Sequence, residues 1–430
     1  MKYYSLNRKA PVTDFKSAVI QGIAPDRGLY FPSQIEPLSN NFWNNIGDLS
    51  REEAAFHCIQ PFIGNQIPED KLMEIIKETV DFEFPVIPIN EKVSSLELFH
   101  GPTLAFKDVG ARFMARSLGY FNQDSDVNTT ILVATSGDTG GAVANGFLGV
   151  LGVDVVILYP KGKVSPVQES QLTTLGQNIT ALEVDGVFDD CQDMVKSAFL
   201  DPDVIQKRRL TSANSINVAR WLPQMFYYVF AYQQLKDQYA SLSFSVPSGN
   251  FGNICAGMMA HRLGMPVTHF IAANNSNDVV ARYLQHGEYI DRPTIATISN
   301  AMDVSKPSNF VRIQELYDRD LASLKHKLYA YAFSDQDTKK AIKDLENQYQ
   351  YIADPHGAVG YLAAIEHLQS HPDQHCVFLE TAHPCKFSDV MEEVLGRPVP
   401  IPVKVAYLMQ RKQEKIEISS YKELKDFLLA

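Results

Sequence analysis

The chain has 430 residues, 45% of them hydrophobic and 21% charged, a composition that supports a globular protein of two or three domains. Its formal net charge of −11 disfavours binding to nucleic acid or to an anionic membrane surface, so an anionic small molecule would have to be met by a local cluster of cations. No apolar run approaches the roughly 20 residues of a membrane span, and the opening MKYYSLNRKA lacks a signal-peptide core, which makes the cytoplasm the expected compartment.

Residues 1–92 mix tyrosines, prolines and short amphipathic segments, Arg51 to Phe62 and Asp70 to Val80, and predict a mainly helical N-terminal domain. Within it Gly28 to Pro32 turns into an extended piece. From about residue 93 the pattern changes to apolar strands alternating with helices, the signature of parallel sheets covered on both faces. The fold class is therefore α/β: two open doubly wound, mainly parallel-sheet domains, over 93–215 and 216–430, beside the helical domain. In the first, a β-branched strand Thr130 to Ala134 leads through TSGDTG (Thr135 to Gly140) into a helix over Gly141 to Leu148, followed by strands Val153 to Leu158 and Ile179 to Val184 and a helix over Phe188 to Phe199. The second opens with a helix over Val218 to Gln234, then strand Leu242 to Val246, the loop SGNFGN (Ser248 to Asn253), helix Ile254 to Leu263 and strand Val267 to Ala272. Helical sequence over 335–370 is broken at Asp354, Pro355, His356 and Gly357. A strand Cys376 to Leu379 delivers Glu380 and Thr381, and a short helical tail follows Val403.

The residues that bear chemistry sit at the junctions. HGPTLAFKD, His100 to Asp108, sets Lys107 after an apolar run at a turn-to-helix boundary, where an amine reaches into a cleft; taken alone, such a lysine is more often a solvated one. In SGNFGN, Gly249 and Gly252 let the backbone approach an anion, and Ser248, Asn250 and Asn253 add donors around Phe251; a tight turn needing glycine for positive φ is the competing reading. TSGDTG gathers the hydroxyls of Thr135, Ser136 and Thr139 about Gly137 and Gly140, with Asp138 capping the next helix or meeting an amine. TSANSINVAR, Thr211 to Arg220, offers Ser215, Asn217 and the guanidinium fork of Arg220, a donor set suited to a phosphate dianion; an N-cap cluster with an exposed arginine is the competing reading. Lys161 and Lys163 are further cations, equally readable as surface lysines. The five cysteines, Cys58, Cys191, Cys255, Cys376 and Cys385, have no metal-ligand or redox spacing, so reduced thiols and no metal site are expected.

HGPTLAFKD, TSGDTG, SGNFGN and the late TAHP (Thr381 to Pro384), in that order, resemble the threonine synthase family, pyridoxal-phosphate enzymes of the tryptophan-synthase β-subunit type. The likeness runs from MKYYSLN to about residue 400. It implies a cofactor cleft between the two sheet domains, pyridoxal 5′-phosphate on Lys107 as a Schiff base, its phosphate at Ser248 to Asn253 and Thr381 facing its ring nitrogen. It further implies the amino-acid part of the substrate at Thr135, Ser136, Asp138 and Thr139, and the phosphate of O-phospho-L-homoserine at Ser215, Asn217 and Arg220. Where many relatives of the fold carry asparagine, this chain has Asp138, a carboxylate needing a partner beside an anionic substrate. His383 is read as structural. The implied reaction yields L-threonine and phosphate in a monomer or homodimer, with freed Lys107 as the base. A threonine or serine dehydratase on the same fold, or a cofactor-binding relative without turnover, are the alternatives.

Overall fold

The computed structural model describes residues 1–123 and 127–430. By packing, the chain divides into two compact units. One comprises Met1, Phe31–Phe106 and Trp221–Val399, the other Lys2–Tyr30, Lys107–Arg220 and Pro400–Ala430.

Each unit is built on one large sheet, and a small third sheet is formed by Thr13–Asp14, Lys2–Ser5 and Tyr30–Pro32. The first unit's six strands run, edge to edge, Leu328–Ala332, His269–Asn274, Leu242–Pro247, His375–Glu380, Val93–Glu97 and Val86–Asn90. All neighbours are parallel except the last pair, an antiparallel edge. The central strand HCVFLE is buried at every position, as a strand covered on both faces must be. Helix Pro355–Ser370 starts on the Asp354 side chain, which accepts the His356 N–H, with Pro355 in the first turn. Its Val359, Ala363 and Ala364 pack on Ile271, Ala273 and Cys376.

The second unit's five strands are all parallel, in the order Ile416–Ile418, Ile179–Val184, Val153–Pro160, Thr129–Ala134 and Arg209–Thr211. Leu132, Leu158 and Leu182 form its core with Cys191 and Met194 of helix Phe188–Ala198 and with Leu424 and Leu428 of the C-terminal helix Tyr421–Leu429. Truncating Leu182 to alanine here would cost about 2–5 kcal/mol.

The predicted boundaries at 92/93 and 215/216 differ from these divisions, which fall at 106/107 and 220/221. Residues 1–92 are shared between the units. The buried stripe Ala54, Ala55, Cys58, Ile59 and Phe62 of helix Arg51–Ile63 is used against helix Met225–Leu235 and has no separate core. The tail after 400 joins the second unit because Ile416–Ile418 extends its sheet, a three-residue strand among charges that carries no legible signal. The helix expected over Val218 to Gln234 is interrupted: Val218–Trp221 passes through a tight turn at Leu222–Gln224 before Met225–Leu235, since Pro223 has no N–H to give.

In both sheets the chain reverses its direction of winding beside an inner strand. In the first, the chain steps outward from Leu242–Pro247 to Leu328–Ala332, then returns to the other flank as His375–Glu380. In the second, it steps outward from Thr129–Ala134 to Ile179–Val184 and returns as Arg209–Thr211. Crevices at the carboxyl ends of strands at such a switch point are where open α/β sheets bind ligands.

Candidate active site

At the first unit's switch point, three adjacent strands deliver predicted segments from their carboxyl ends. Leu242–Pro247 leads into SGNFGN, His375–Glu380 into Thr381, and Val93–Glu97 into the stretch that ends at Phe106. That stretch is stapled to the one after Thr381. The Phe106 N–H donates to the Thr381 carbonyl at 2.8 Å and the His383 N–H to the Leu104 carbonyl at 3.0 Å, while Ala105 and Ala382 form an isolated antiparallel bridge. Buried Lys386 donates from Nζ to the Thr103 carbonyl at 2.8 Å, and the Tyr227 hydroxyl donates to the Phe106 carbonyl. Leu104 takes a left-handed φ of 59°, a conformation costly for a branched residue and held here by those bonds. The residue before Lys107 is thus fixed on both of its backbone polar groups. His383 accepts the Cys385 N–H on Nδ1 at 3.2 Å.

SGNFGN turns directly into helix Gly252–Arg262, two residues earlier than the sequence suggests, with Phe251 at φ 61° as its N-cap. Ser248 and Gly249 are buried, and a Cβ on Gly249 would lie 2.6 Å from the Met302 Cα, so only glycine fits. Asn250 is a builder of the site: its Oδ1 accepts the Ser308 N–H at 2.6 Å. Asn253 accepts from the Tyr228 hydroxyl on Oδ1 at 2.9 Å, whereas its Nδ2 is buried with no hydrogen-bond partner. An amide donor without a partner among the described residues, beside the N–H groups that begin an 11-residue helix, fits a phosphate group. The residues present therefore fit pyridoxal 5′-phosphate at this loop.

Lys107 opens the second unit and is the first residue of helix Lys107–Asn122. Its carbonyl accepts from Arg220 Nη1 at 2.8 Å, and Arg220 Nε donates to the Ala213 carbonyl at 2.6 Å. Gly110 allows that approach, since a Cβ there would meet Arg220 Nη1 at 2.8 Å. Buried Arg220 thus ties the TSANSINVAR segment to the lysine's own peptide. Asn217 has a partner set other than the implied substrate: Nδ2 donates to the carbonyls of Val19 at 2.8 Å and Ser212 at 3.3 Å, and Oδ1 accepts the Ala219 N–H at 3.0 Å. Ser215 is half-buried in the same turn.

The TSGDTG loop leaves the central strand of this unit's switch point. Thr135 Oγ1 accepts the N–H groups of Gly137 at 3.0 Å and Gly140 at 2.8 Å, folding the loop around one hydroxyl. Helix Asp138–Phe147 packs closely on helix Lys107–Asn122 because Gly146 faces Ala111, where a Cβ would find backbone at 3.0 Å. The lysine and this loop therefore ride on one helix pair. Asp138 is buried and accepts from Gln168 Nε2 at 3.0 Å, which supplies the partner its charge requires. Ser136 and Thr139 remain half-buried. Lys161 is engaged by exposed Glu417 at 2.8 Å, and Lys163 is exposed.

Two groups escaped the sequence reading. Gln168 reaches Asp138 with one end and the Ser165 N–H with the other, at 3.1 Å; its only local sign is the S-x-x-Q capping box. Glu380, next to Thr381, is fully buried, and burial first, then Asp354, pushes its carboxyl well above the usual range. Its Oε1 accepts the Asp354 N–H at 2.6 Å, and Gly357 is required because a Cβ would lie 1.6 Å from Oε2. The predicted break at 354–357 is the visible trace of that contact.

Comparison with known proteins places the chain in a family. Residues 94–381 match the family described as pyridoxal-phosphate dependent enzyme, residues 2–80 the threonine synthase N terminus, and residues 357–428 the threonine synthase C-terminal family. The chain is 42% identical over 431 residues to threonine synthase of Serratia marcescens, covering 100% of this chain and 99% of that one. It is similar to the crystal structure of threonine synthase from Escherichia coli, with TM-score 0.91 at 41% identity over 100% of this chain and 99% of the other. The structure of PLP-bound threonine synthase from Brucella melitensis matches with TM-score 0.94 at 35% identity, again over 100% and 99%.

Proposed function

The chain belongs to the threonine synthase family of pyridoxal-phosphate dependent enzymes, and from that premise we propose that it converts O-phospho-L-homoserine and water to L-threonine and phosphate through the residues described above. Bound pyridoxal 5′-phosphate supplies an electron sink conjugated to the substrate's amino nitrogen. Lys107 Nζ would tether the cofactor through its aldehyde carbon, Ser248, Gly249, Asn250, Phe251, Gly252 and Asn253 would hold its phosphate, and the Thr381 hydroxyl would donate to its ring nitrogen.

The remaining work falls to this chain's own groups. The free Lys107 amine would take the proton from the substrate's Cα and serve the later proton transfers as well, the α, β and γ carbons being held in one place. Ser136 and Thr139, half-exposed on a loop shaped by Thr135 and Asp138, bind the substrate's amino-acid end. Ser215 presents its hydroxyl to the substrate phosphate, with Arg220 adding charge and Asn217 holding the turn. A cytoplasmic location and the absence of nucleic-acid partners belong to the same reading, supported by the net charge of −11 and by five buried free thiols.

The observation that carries the proposal is the orphaned Asn253 amide at a glycine-lined helix start, on the sheet whose neighbouring strand ends at Thr381. Purified protein given cofactor and O-phospho-L-homoserine is expected to release phosphate and threonine in equal amounts, and borohydride reduction should leave the adduct on Lys107. Ammonia release from serine or threonine without consumption of phosphohomoserine would turn the assignment to a dehydratase; an adduct on another lysine would remove Lys107 from its role.

A further inference from the structure

Far from these segments, at the amino ends of the first unit's strands, three histidines converge. His269 begins its strand, His367 lies in the last turn of helix Pro355–Ser370, and His371 caps that helix. One ring nitrogen of each lies within 4.8 Å of the others, with His367 fully buried and the other two half-buried. We propose that His269, His367 and His371 form a binding site for one divalent transition-metal ion of the zinc or cobalt class, opposite the end of the sheet that carries SGNFGN.

The geometry is close to what a metal needs. Nitrogen ligands about 2.0–2.1 Å from a tetrahedral ion lie roughly 3.3 Å apart, and His269 Nδ1 already stands 3.1 Å from His367 Nε2. His371, half-buried just past the helix end, has to close the remaining gap by a small shift out of its packing against the rings of His269, Tyr329 and His367. Positions 367 and 371 are one helical turn apart, and their rings stack at 4.1 Å. The far nitrogens have partners that fix ring orientation: Tyr331 Oη lies 3.4 Å from His367 Nδ1, and His371 Nδ1 donates to the His367 carbonyl at 3.2 Å. Gln374 marks the point where ligands are aimed. Its Nε2 donates to His269 Nδ1 at 3.0 Å, and its Oε1 meets His367 Nε2 at 3.2 Å, so one amide spans two nitrogens that a cation would take instead.

The nearby cation Lys327 is occupied by the carbonyls of Val267 and Thr268, at 3.3 and 3.2 Å. The neighbouring aromatic rings Tyr329 and Tyr331 bring no charge. The strand His269–Asn274 separates this cluster from the carboxyl edge of the sheet by roughly 17 Å, so a bound ion would act as a clamp between strand start and helix end and leave the chemistry alone. The sequence reading expects no metal because it follows cysteine spacing; of this trio only the His367/His371 pair has a sequence-visible interval.

The test uses the cofactor-loaded full chain after chelator treatment. Titration with Co²⁺ is expected to produce visible ligand-field bands that saturate at one equivalent per chain and are displaced by Zn²⁺, and Zn²⁺ should raise the melting temperature. His371→Ala, at a half-exposed helix end, and His269→Ala should each abolish the bands and the Zn²⁺-induced rise, with far-ultraviolet dichroism unchanged and turnover within twofold of the native protein. Absence of bands in the native protein, or bands of undiminished strength in His371→Ala, would overturn the proposal. Neither readout depends on the reaction assigned above.

Discussion

The two switch points share a topology and differ in how their polar groups are used. In the first unit the loop after Leu242–Pro247 is shaped by close backbone packing, Gly249 against Met302, and it keeps a buried donor in reserve on Asn253. In the second, the loop after Thr129–Ala134 is shaped by side chains: Thr135 folds it, Gln168 holds Asp138, and Asn217 braces the turn opposite. A rigid cradle with an unmet donor suits a group that stays bound. A loop whose buried polar atoms are engaged, with only Ser136, Thr139 and Ser215 half-exposed, suits a ligand that comes and goes. On the proposed reading, that difference sets a cofactor cradle apart from a substrate grip.

Lys107 is where the comparison breaks most severely, because the proposed mechanism has it serve both ligands. Lys107→Ala is expected to lower turnover by at least about 10²–10⁴-fold, the range lost with a general base, and to abolish the visible absorbance of tethered cofactor. The fold should persist, since the bonds that set the helix start, from the Phe106 N–H to the Thr381 carbonyl and from the Arg220 guanidinium to the Lys107 carbonyl, use no side-chain atom of Lys107. Retained turnover would sink the role.

Next in size is Gly249→Ala. A methyl group 2.6 Å from the Met302 Cα meets backbone that cannot rotate away, and overpacking of this kind costs about 1–3 kcal/mol. If the strain falls on the cradle, cofactor affinity drops roughly 5–150-fold, read as the cofactor concentration needed to restore absorbance. Unaltered cofactor affinity would show that the loop does not hold the phosphate.

Gly137→Ala sharpens the contrast from the other side. At φ 137° a side chain is strained, and its Cβ would lie 2.4 Å from Gln168, the residue that positions Asp138. With about 1–3 kcal/mol stored there, KM for phosphohomoserine should rise about tenfold while cofactor absorbance stays at the native level. Equal loss of cofactor in both glycine variants would erase the distinction between the two loops.

How far the sequence reaches follows the same division. Runs such as TTILVA and HCVFLE are apolar throughout, so their identity as buried strands is legible, and glycine-bearing loops between such strands and helices announce the junctions. What is not legible depends on sequence-distant partners. Asp138 reads as an unpaired charge until Gln168, thirty residues on, is brought to it. Arg220 and Asn217 read as free donors, yet both are spent largely on backbone carbonyls. The edge strand Ile416–Ile418 exists only because Ile179–Val184 offers it an edge. The N-terminal helices have correct periodicity, but periodicity says which face is apolar and is silent on what covers it.

The smallest expected effect concerns Glu380, the strand-end carboxyl beneath Thr381. Its pKa in the folded chain lies above the ordinary 4.5, with burial as the main cause and Asp354 second. The folded state therefore holds this proton more tightly than the unfolded state does. Above about pH 4.5 the native form binds more protons at this site, and stability drains away as pH rises towards the folded pKa. Glu380→Gln keeps the acceptor for the Asp354 N–H and the close fit against Gly357 while removing the ionisation. The variant and native proteins should melt together near pH 4.5, and the variant should gain about 2–4 °C relative to the native protein by pH 8, the shift expected for each kcal/mol in a unit of this size. Because every other titrating group is common to both proteins, the difference between the two melting curves isolates this carboxyl. A gap that shrinks with rising pH would mean that Glu380 is ionised in the folded chain, and that the floor of the cofactor cradle carries charge.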